Sequence, residues 1–597
     1  MQTRLRLHLM VLAVSVLSMG GAALAQPPPT PTLPPVVVES GRGIDERARS
    51  DEEAREELRR VPGGTTVVDQ KTIEESRAAN LKDALDFVPG VFVQPRFGAA
   101  DESQISIRGS GLRNNFHLRG VTGLIDGFPY GNADGFSDFE SLELLTTKRI
   151  EVYKGANALR FGGYTLGGAI NLVTKTGYDA GLMELRSAAG SFGYLKNYLG
   201  TGQVYGPFDL YVGLSYTELD GFRQHSDQIR LRAHASLGYR LAGGTTVRLD
   251  LGHVQNEENL PGALTQPELD RNPRQRNPAA SAFREERNYE YTRGALTIRT
   301  PLSENQVLEW YTQLNYQDMD HPLAFAVIDD TTYSYGTEIR YVLSAPVFGL
   351  ANRLIVGFQF FGTRQIDVNF ANNRGNRGAR TKDQINIANN VAGYLEDQLD
   401  LTPTFTGVAG GRLSYAYREV RDRFTGNGNQ SDSVDFLAAS PRAGFVWKVA
   451  PTVQVFGNAS HAYEPPALLE LTAPGQLGGS LSQLAAQESW QFEVGTRGNA
   501  GERLAWDVAA YDIELWDEIQ NVNVRPFPFA PFTIPRFRFR NIDRSRHTGV
   551  EVGLDLLLVK DLLAQLGPRP DRGRPAGAGR LHLVALRLRE RRQLRQQ

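Results

Sequence analysis

The sequence predicts an all-β transmembrane barrel with a small α+β domain inside its lumen. Three observations lead there. After Gly177 the chain becomes long segments that alternate apolar and polar residues in one phase, such as Leu210–Leu219, Leu308–Gln317 and Arg353–Gly362, with Tyr, Phe and Trp near their ends. Tight turns punctuate them at Gly206-Pro207, Ala242-Gly243-Gly244, Pro301, Pro346, Thr402-Pro403, Ala450-Pro451 and Asn499-Ala500-Gly501, whereas connections such as Asn256 to Asn288 are long and polar. Ahead of the barrel, from Thr65, runs a compact series of short strands and helices with Gly-rich turns.

Composition narrows the chemistry. The chain has 597 residues, 65 Lys+Arg against 67 Asp+Glu, and no Cys. Disulfides, thiolate metal sites and thiol nucleophiles are thereby excluded. A mean hydropathy of −0.34 excludes a helical membrane protein but not a barrel, whose alternation keeps average hydropathy low. The net charge of −2 is uneven: set aside +7 in residues 568–597 and +2 in the first 25, and residues 26–567 carry −11. No nucleic-acid partner is implied. Catalytic readings fail as well, because the nine His are scattered and no HExxH, nucleophile elbow or P-loop occurs. Gly109-Ser110-Gly111 is only a fragment of a dinucleotide fingerprint, and no catalytic residue, cofactor or metal site is expected.

Taken in order, residues 1–25 read as a signal peptide. Arg4 and Arg6 precede the apolar run Leu7–Leu17, and Ala23-Leu24-Ala25 forms a small-x-small cleavage site. Residues 26–60 form a linker. Six Pro in Gln26–Pro35 keep it extended, and Pro35-Val36-Val37-Val38-Glu39-Ser40 is a β-prone strand suited to adding onto the edge of a partner's sheet. Residues 44–60 are a charged spacer, helical or disordered. Residues 61–177 form the α+β domain. A helix is expected from Lys71 to near Asn80, and a second over Leu81–Leu85 that Val88-Pro89-Gly90 closes.

The blocks NLKDALDFVPGV, ISIRGSG, FHLRGVTGLIDGFPY and RIEVYKGANALRFGGYTLGGAINLVTK, in that order, resemble the plug domain of TonB-dependent outer-membrane receptors. The resemblance implies the ferric-citrate and siderophore branch, towards which ENLPGALTQPELDRNP also tilts it. It makes Pro35–Ser40 the TonB box, and TonB with its inner-membrane energising complex the partner. One departure is Lys154-Gly155-Ala156, where the family usually has Arg-Gly-Pro, so a bidentate contact between plug and wall is not expected at that position. The linker is too short for an additional periplasmic signalling domain.

The barrel occupies residues 178–567. Counted between turns from Gly177 to Lys560-Asp561, it holds about sixteen strands, whereas plugged transporters have about 22, so an incomplete barrel of the 22-stranded type is expected. A soluble β-sandwich array does not explain why one set of connections is short and the other long. Residues 568–597 lack alternation and contain nine Arg and no Lys. Back-translated and shifted by one base, Arg580–Gln597 can yield an aromatic, alternating strand, so this tail reads as an out-of-frame segment and the chain as C-terminally truncated.

Function should rest on two sets of residues. The resemblance implies that buried Arg–Glu pairs lock plug to wall, with Arg108 and Arg149 on the plug and Glu493 and Glu551 on barrel strands. Ordinary solvated lumen charges are the alternative. Ligand recognition should come from the plug apex, through Arg96, Phe97, Phe136 and Phe139, and from a loop bearing Arg525, Arg536 and Arg538, whose guanidiniums and aromatic neighbours suit an anionic chelate. The reading is energy-coupled import of a ferric chelate across the Gram-negative outer membrane by a lipid-embedded monomer. The rivals are uptake of cobalamin or another metal chelate and, from another class, a passive porin-like or adhesin barrel.

Overall fold

A computed structural model of the chain describes residues 47, 49–95, 103–111, 118–137, 139–162, 164–472, 481–501, 503–524, 536–559, 562–566 and 586–590. The signal peptide, the strand Pro35–Ser40, and Arg96, Phe97 and Arg525 lie outside the described residues, as do the side chains of Arg536 and Arg538.

The charged spacer supplies helix α1 (Asp51–Leu58). Ser50 and Glu53 close its N-terminus with a reciprocal capping box, and only Ala54 and Leu58 turn inward. The plug follows with β1 (Thr65–Val68), helices α2 (Gln70–Glu75) and α3 (Leu81–Leu85), and strands β2 (Val91–Pro95), β3 (Ser103–Ile107), β4 (Val121–Ile125), β5 (Phe128–Pro129), β6 (Thr147–Lys154) and β7 (Gly168–Thr174). Helix α2 stops five residues short of the expected Asn80. The Ser76 hydroxyl donates to the Ile73 carbonyl at 2.6 Å and accepts from the Ala78 amide at 3.0 Å, offering the backbone a turn in place of another helical bond. The main sheet runs β1-β6-β7-β4-β5, with β4 and β7 parallel, and β2 and β3 form a separate hairpin. Ile73, Leu85, Ile107, Ile150 and Val152 lie in its fully buried core.

The barrel begins with β8 (Glu184–Ala189), β9 (Leu195–Tyr205), β10 (Phe208–Leu219), β11 (Gln228–Arg240), β12 (Thr246–Asn259), β13 (Glu286–Ser303), β14 (Gln306–Leu323) and β15 (Ala326–Leu343). It continues with β16 (Asn352–Asn373), β17 (Asn376–Thr402), β18 (Phe405–Asp422), β19 (Asp432–Ala450), β20 (Val453–Glu464), β21 (Gln487–Ala500), β22 (Leu504–Val524) and β23 (Arg536–Val559). These are sixteen consecutive antiparallel strands, as the spacing of the turns predicts, and each predicted tight turn falls at or beside a connection at one end of the barrel.

The open seam expected after them is where the structure differs. Among the described residues the strand order closes into a ring through two five-residue strands, β24 (Leu562–Leu566) and β25 (Leu586–Glu590), the latter drawn from the segment read as out of frame. Closure pairs the Leu554–Val559 end of β23 with β24, giving those backbone groups partners they would lack in hydrocarbon.

Burial alternates residue by residue along β9 and β10, where Lys196, Tyr198, Asp209 and Tyr211 are buried and the residues on either side of each are exposed. Leu199, Phe208, Leu210 and Val212 point outward, and Phe208–Tyr239 and Phe405–Phe445 ring pairs mark the short-turn rim. At the other end, β16 and β17 run far beyond the 9–11 or so residues needed to cross a bilayer. Their two-residue connection, Arg374-Gly375, has positive φ at both positions (51° and 87°), the twist-matched turn that extends a hairpin instead of opening a loop.

Candidate functional site

The plug meets the wall through buried charges, and one enclosed group gathers three of the four predicted lock residues. Arg108 follows β3 at φ 55°, a left-handed setting that turns its side chain out of the plug and towards the wall. Its Nη2 lies 2.6 Å from Glu493 Oε1 on β21, and its Nε lies 3.0 Å from Glu551 Oε1 on β23. Its guanidinium also stands 4.7 Å from the centre of the Tyr511 ring. Burial alone would lower the Arg108 pKa, but Glu551 and Glu493 outweigh it and hold the guanidinium charged.

Glu493 has further donors. It accepts the Gly64 amide at 2.9 Å, Asn157 Nδ2 at 3.0 Å and Asn458 Nδ2 at 3.1 Å. Lys154 Nζ lies 3.5 Å from Glu551 Oε2, a single point-charge contact as expected where the lysine replaces an arginine fork. Two cations therefore face two carboxylates with essentially no water. Glycine is required beside them: a methyl group at Gly155 would stand 2.7 Å from Gln491 Oε1 and 2.9 Å from Arg108 Nη1.

Arg149 is elsewhere. It bonds Glu151 of its own strand at 2.8 Å and donates to the Arg49 carbonyl at 3.3 Å, fastening the chain ahead of α1 to the plug. Its place on β6 directs it to that segment, so it is not part of the Glu493–Glu551 group.

A second cluster escaped the sequence reading. Arg119 Nε donates to Glu470 at 3.1 Å, and its Nη1 donates to the Pro465 carbonyl at 3.0 Å and lies 3.2 Å from Glu464. The Gly120 amide donates to the same Glu464 carboxylate at 2.8 Å. Glu464 ends β20, and Glu470 lies in the short helix Leu468–Leu471. The available signal was a repeat: Leu118-Arg119-Gly120 copies Ile107-Arg108-Gly109, and both glycines have positive φ (74° and 84°).

A third cluster sets Glu143 of the plug 2.8 Å from Lys196 and 3.6 Å from Arg232, with the Ser215 hydroxyl donating at 2.6 Å. Burial would raise the Glu143 pKa, but Lys196 and Arg232 hold it down to about 2.

The predicted apex residues divide. Phe136 is half-buried in the apex loop, where its carbonyl accepts the Asn132 amide at 2.7 Å. That loop touches the wall through Ala133 to Thr363 at 2.8 Å, and its Asp134 accepts the Leu468 amide at 3.1 Å, which joins it to the second cluster. Phe139 is a correction. It is 7% exposed and packs within the plug core, because the one-turn 3₁₀ helix Phe139–Ser141 turns its ring inward.

The profile of the family described as "TonB dependent receptor-like, beta-barrel" matches residues 108–567. The iron-regulated outer membrane virulence protein of Vibrio cholerae serotype O1 is 23% identical over 536 residues, covering 85% of this chain and 74% of that protein. The vitamin B12 transporter BtuB of Vibrio vulnificus is 31% identical over 134 residues, 22% of this chain and 21% of that one. Among solved structures, the ferric citrate transporter FecA in its unliganded form superposes with a TM-score of 0.71 at 17% identity, covering 88% of this chain and 80% of that one.

Proposed function

The chain belongs to the TonB-dependent receptor family, outer-membrane β-barrel transporters rather than enzymes, and from that premise we propose that it imports a ferric chelate across the outer membrane of a Gram-negative bacterium. The observation that carries the reading is the buried Arg108–Glu493–Glu551 group. A barrel whose lumen is filled by a domain bolted on with desolvated charges passes nothing by diffusion, so transport requires work on the plug. This argues against a passive porin-like or adhesin barrel.

In this reading residues 61–177 are the plug and Pro35–Ser40 the TonB box. The chelate binds at the apex loop around Phe136, with Arg525 and the start of β23, which carries Arg536 and Arg538, as its anion-recognising wall. TonB adds to the Val36–Val38 strand from the periplasm, and force drawn from the proton gradient shifts the plug. Iron is the favoured cargo because the relative covering most of this chain is named as iron-regulated. Cobalamin is the second reading, on the shorter match to a vitamin B12 transporter.

The test is growth and radiolabel uptake on a panel of ferric chelates and cobalamin under iron limitation, with and without residues 36–40. Uptake of one ferric chelate that vanishes with the deletion is expected. Uptake that persists unchanged without those residues sinks energy coupling, and import of cobalamin alone sinks the iron assignment.

A further inference from the structure

Two buried guanidiniums on β18 are held without a carboxylate. Arg418 is fully buried, and its partners are neutral oxygens: the Tyr164 hydroxyl, the Asn390 side-chain oxygen at 3.1 Å, and the Tyr417 and Ala133 carbonyls at 2.8 and 3.3 Å. Arg412, nearer the short-turn rim, donates to the Ser414 hydroxyl at 3.1 Å, to Gln359 at 2.7 Å and to the Arg160 carbonyl at 3.3 Å. The carboxylates of this region are turned elsewhere. Glu338 meets Tyr394, and Glu396 lies 3.3 Å from Arg442. Asp134 accepts the Phe136 and Leu468 amides, and Glu464 is taken by Arg119 and the Gly120 amide. A buried cation left without a partner of opposite charge is costly.

A cavity of about 50 Å³ lies beside these two residues, between the apex loop and β16–β18. Among the described residues Arg412 is the only charged one that borders it, and no carboxylate does. Tyr164 of the plug and Tyr463 at the end of β20 both border it, and Tyr463 is within electrostatic reach of Tyr164 and Arg418. Tyr463 is 4% exposed, yet its hydroxyl has no partner, and Arg418 Nε is likewise buried and unmatched. Tyr164 accepts from Arg418, which leaves its own hydrogen to donate and polarises it into a stronger donor. Two phenolic O–H groups thus face a cavity that carries positive charge and offers them no acceptor.

We propose that this cavity binds one chloride-sized anion, which accepts from the Tyr164 and Tyr463 hydroxyls and answers the charge of Arg412 and Arg418. The space suits it, since a water takes about 10–15 Å³ by the same measure and a halide with a few waters fills the rest. A tetrahedral oxyanion would find phenolic hydroxyls for two of its oxygens at most. The ion shares its support with the apex loop, because Arg418 also donates to the Ala133 carbonyl and the Ala133 amide donates to Thr363 at 2.8 Å. Occupancy therefore holds that loop against the wall. The site stands independently of which cargo is imported.

The test uses the full chain in detergent, crystallised in bromide and read by anomalous scattering. One bromide is expected within hydrogen-bond reach of both phenolic oxygens, and Tyr463→Phe should abolish it. In solution, hydrogen exchange at amides 132–135 should run about tenfold slower in ~150 mM chloride than in gluconate, an anion too large to enter. Tyr463→Phe removes a hydroxyl that has no protein partner, so the variant should fold and exchange like the parent in gluconate while losing the chloride effect. No bromide at this position, or a bromide or chloride effect that survives Tyr463→Phe, overturns the site. Bromide in the crystal with no chloride effect in solution marks an adventitious ion only and overturns it as well.

Discussion

Arg108 and Glu493 stand 385 positions apart in the chain and meet at 2.6 Å, joining the plug to the barrel wall at a point that excludes water. Glu551 completes the fork from the neighbouring side, and Lys154 balances the second carboxylate. Such a group stabilises the seated plug only while its charges match. Breaking one partner leaves a buried charge alone, and that penalty exceeds the net worth of the intact pair.

Arg108→Ala should therefore loosen the plug by about 3–5 kcal/mol, read as faster hydrogen exchange at the β2–β3 amides. In a Glu493→Gln background the same change should cost less, because Lys154 and Glu551 then remain as a matched pair. Equal costs in both backgrounds would mean that charge balance is not what seats the plug.

Arg119→Lys tests the second cluster by shape rather than charge. The guanidinium reaches Glu470, Glu464 and the Pro465 carbonyl together, whereas one ammonium on a flexible stem cannot. A loss of about 1–3 kcal/mol is expected, confined to exchange at residues 465–472, with the amides around Arg108 unaffected. If both regions loosen together, the clusters act as one unit.

The barrel was legible because its signal is repetitive. Strand alternation and Gly/Pro turns recur many times, so sixteen strands can be counted without knowing where any one ends. Glu493 and Glu551 could be chosen because the family resemblance places acidic partners on their strands, but their partner Lys154 sat inside a motif whose departure from Arg had to be weighed. Arg119 was missed because the Arg-Gly repeat was read once. Phe139 was misplaced because an aromatic in a Gly-rich apex looks exposed until a one-turn helix rotates it inward, and no local periodicity reveals so short a helix. The short closing strands β24 and β25 carry too few residues for alternation to show.

Acid should weaken the third cluster over a defined window. In the folded protein the Glu143 pKa is depressed to about 2 from an ordinary 4.5, so the carboxylate favours the folded state at neutral pH. That contribution is fully present above about pH 4.5 and is lost as pH falls towards 2, of the order of 3 kcal/mol. Glu143→Gln should lower stability at pH 7 and flatten its dependence on pH between 5 and 2, followed by exchange at amides 143–147. A variant with the parental slope would assign the acid sensitivity to other carboxylates.

Two glycines separate backbone strain from crowding at the lock. Gly90 (φ 78°) and Gly127 (φ 85°) share a left-handed backbone, but a methyl group at Gly90 overlaps the Glu551 carboxylate, whereas at Gly127 it meets nothing within 4 Å. Gly127→Ala should cost about 1 kcal/mol, the strain of alanine at positive φ. Gly90→Ala should cost at least about 2 kcal/mol more, because Glu551 must move and cannot do so without leaving Arg108 and Lys154. The excess should shrink in Glu551→Ala, where the obstructing carboxylate is gone. Equal costs at the two glycines, measured by thermal unfolding of the plug, would mean that the wall yields freely at Glu551 and that the lock is softer than its burial implies.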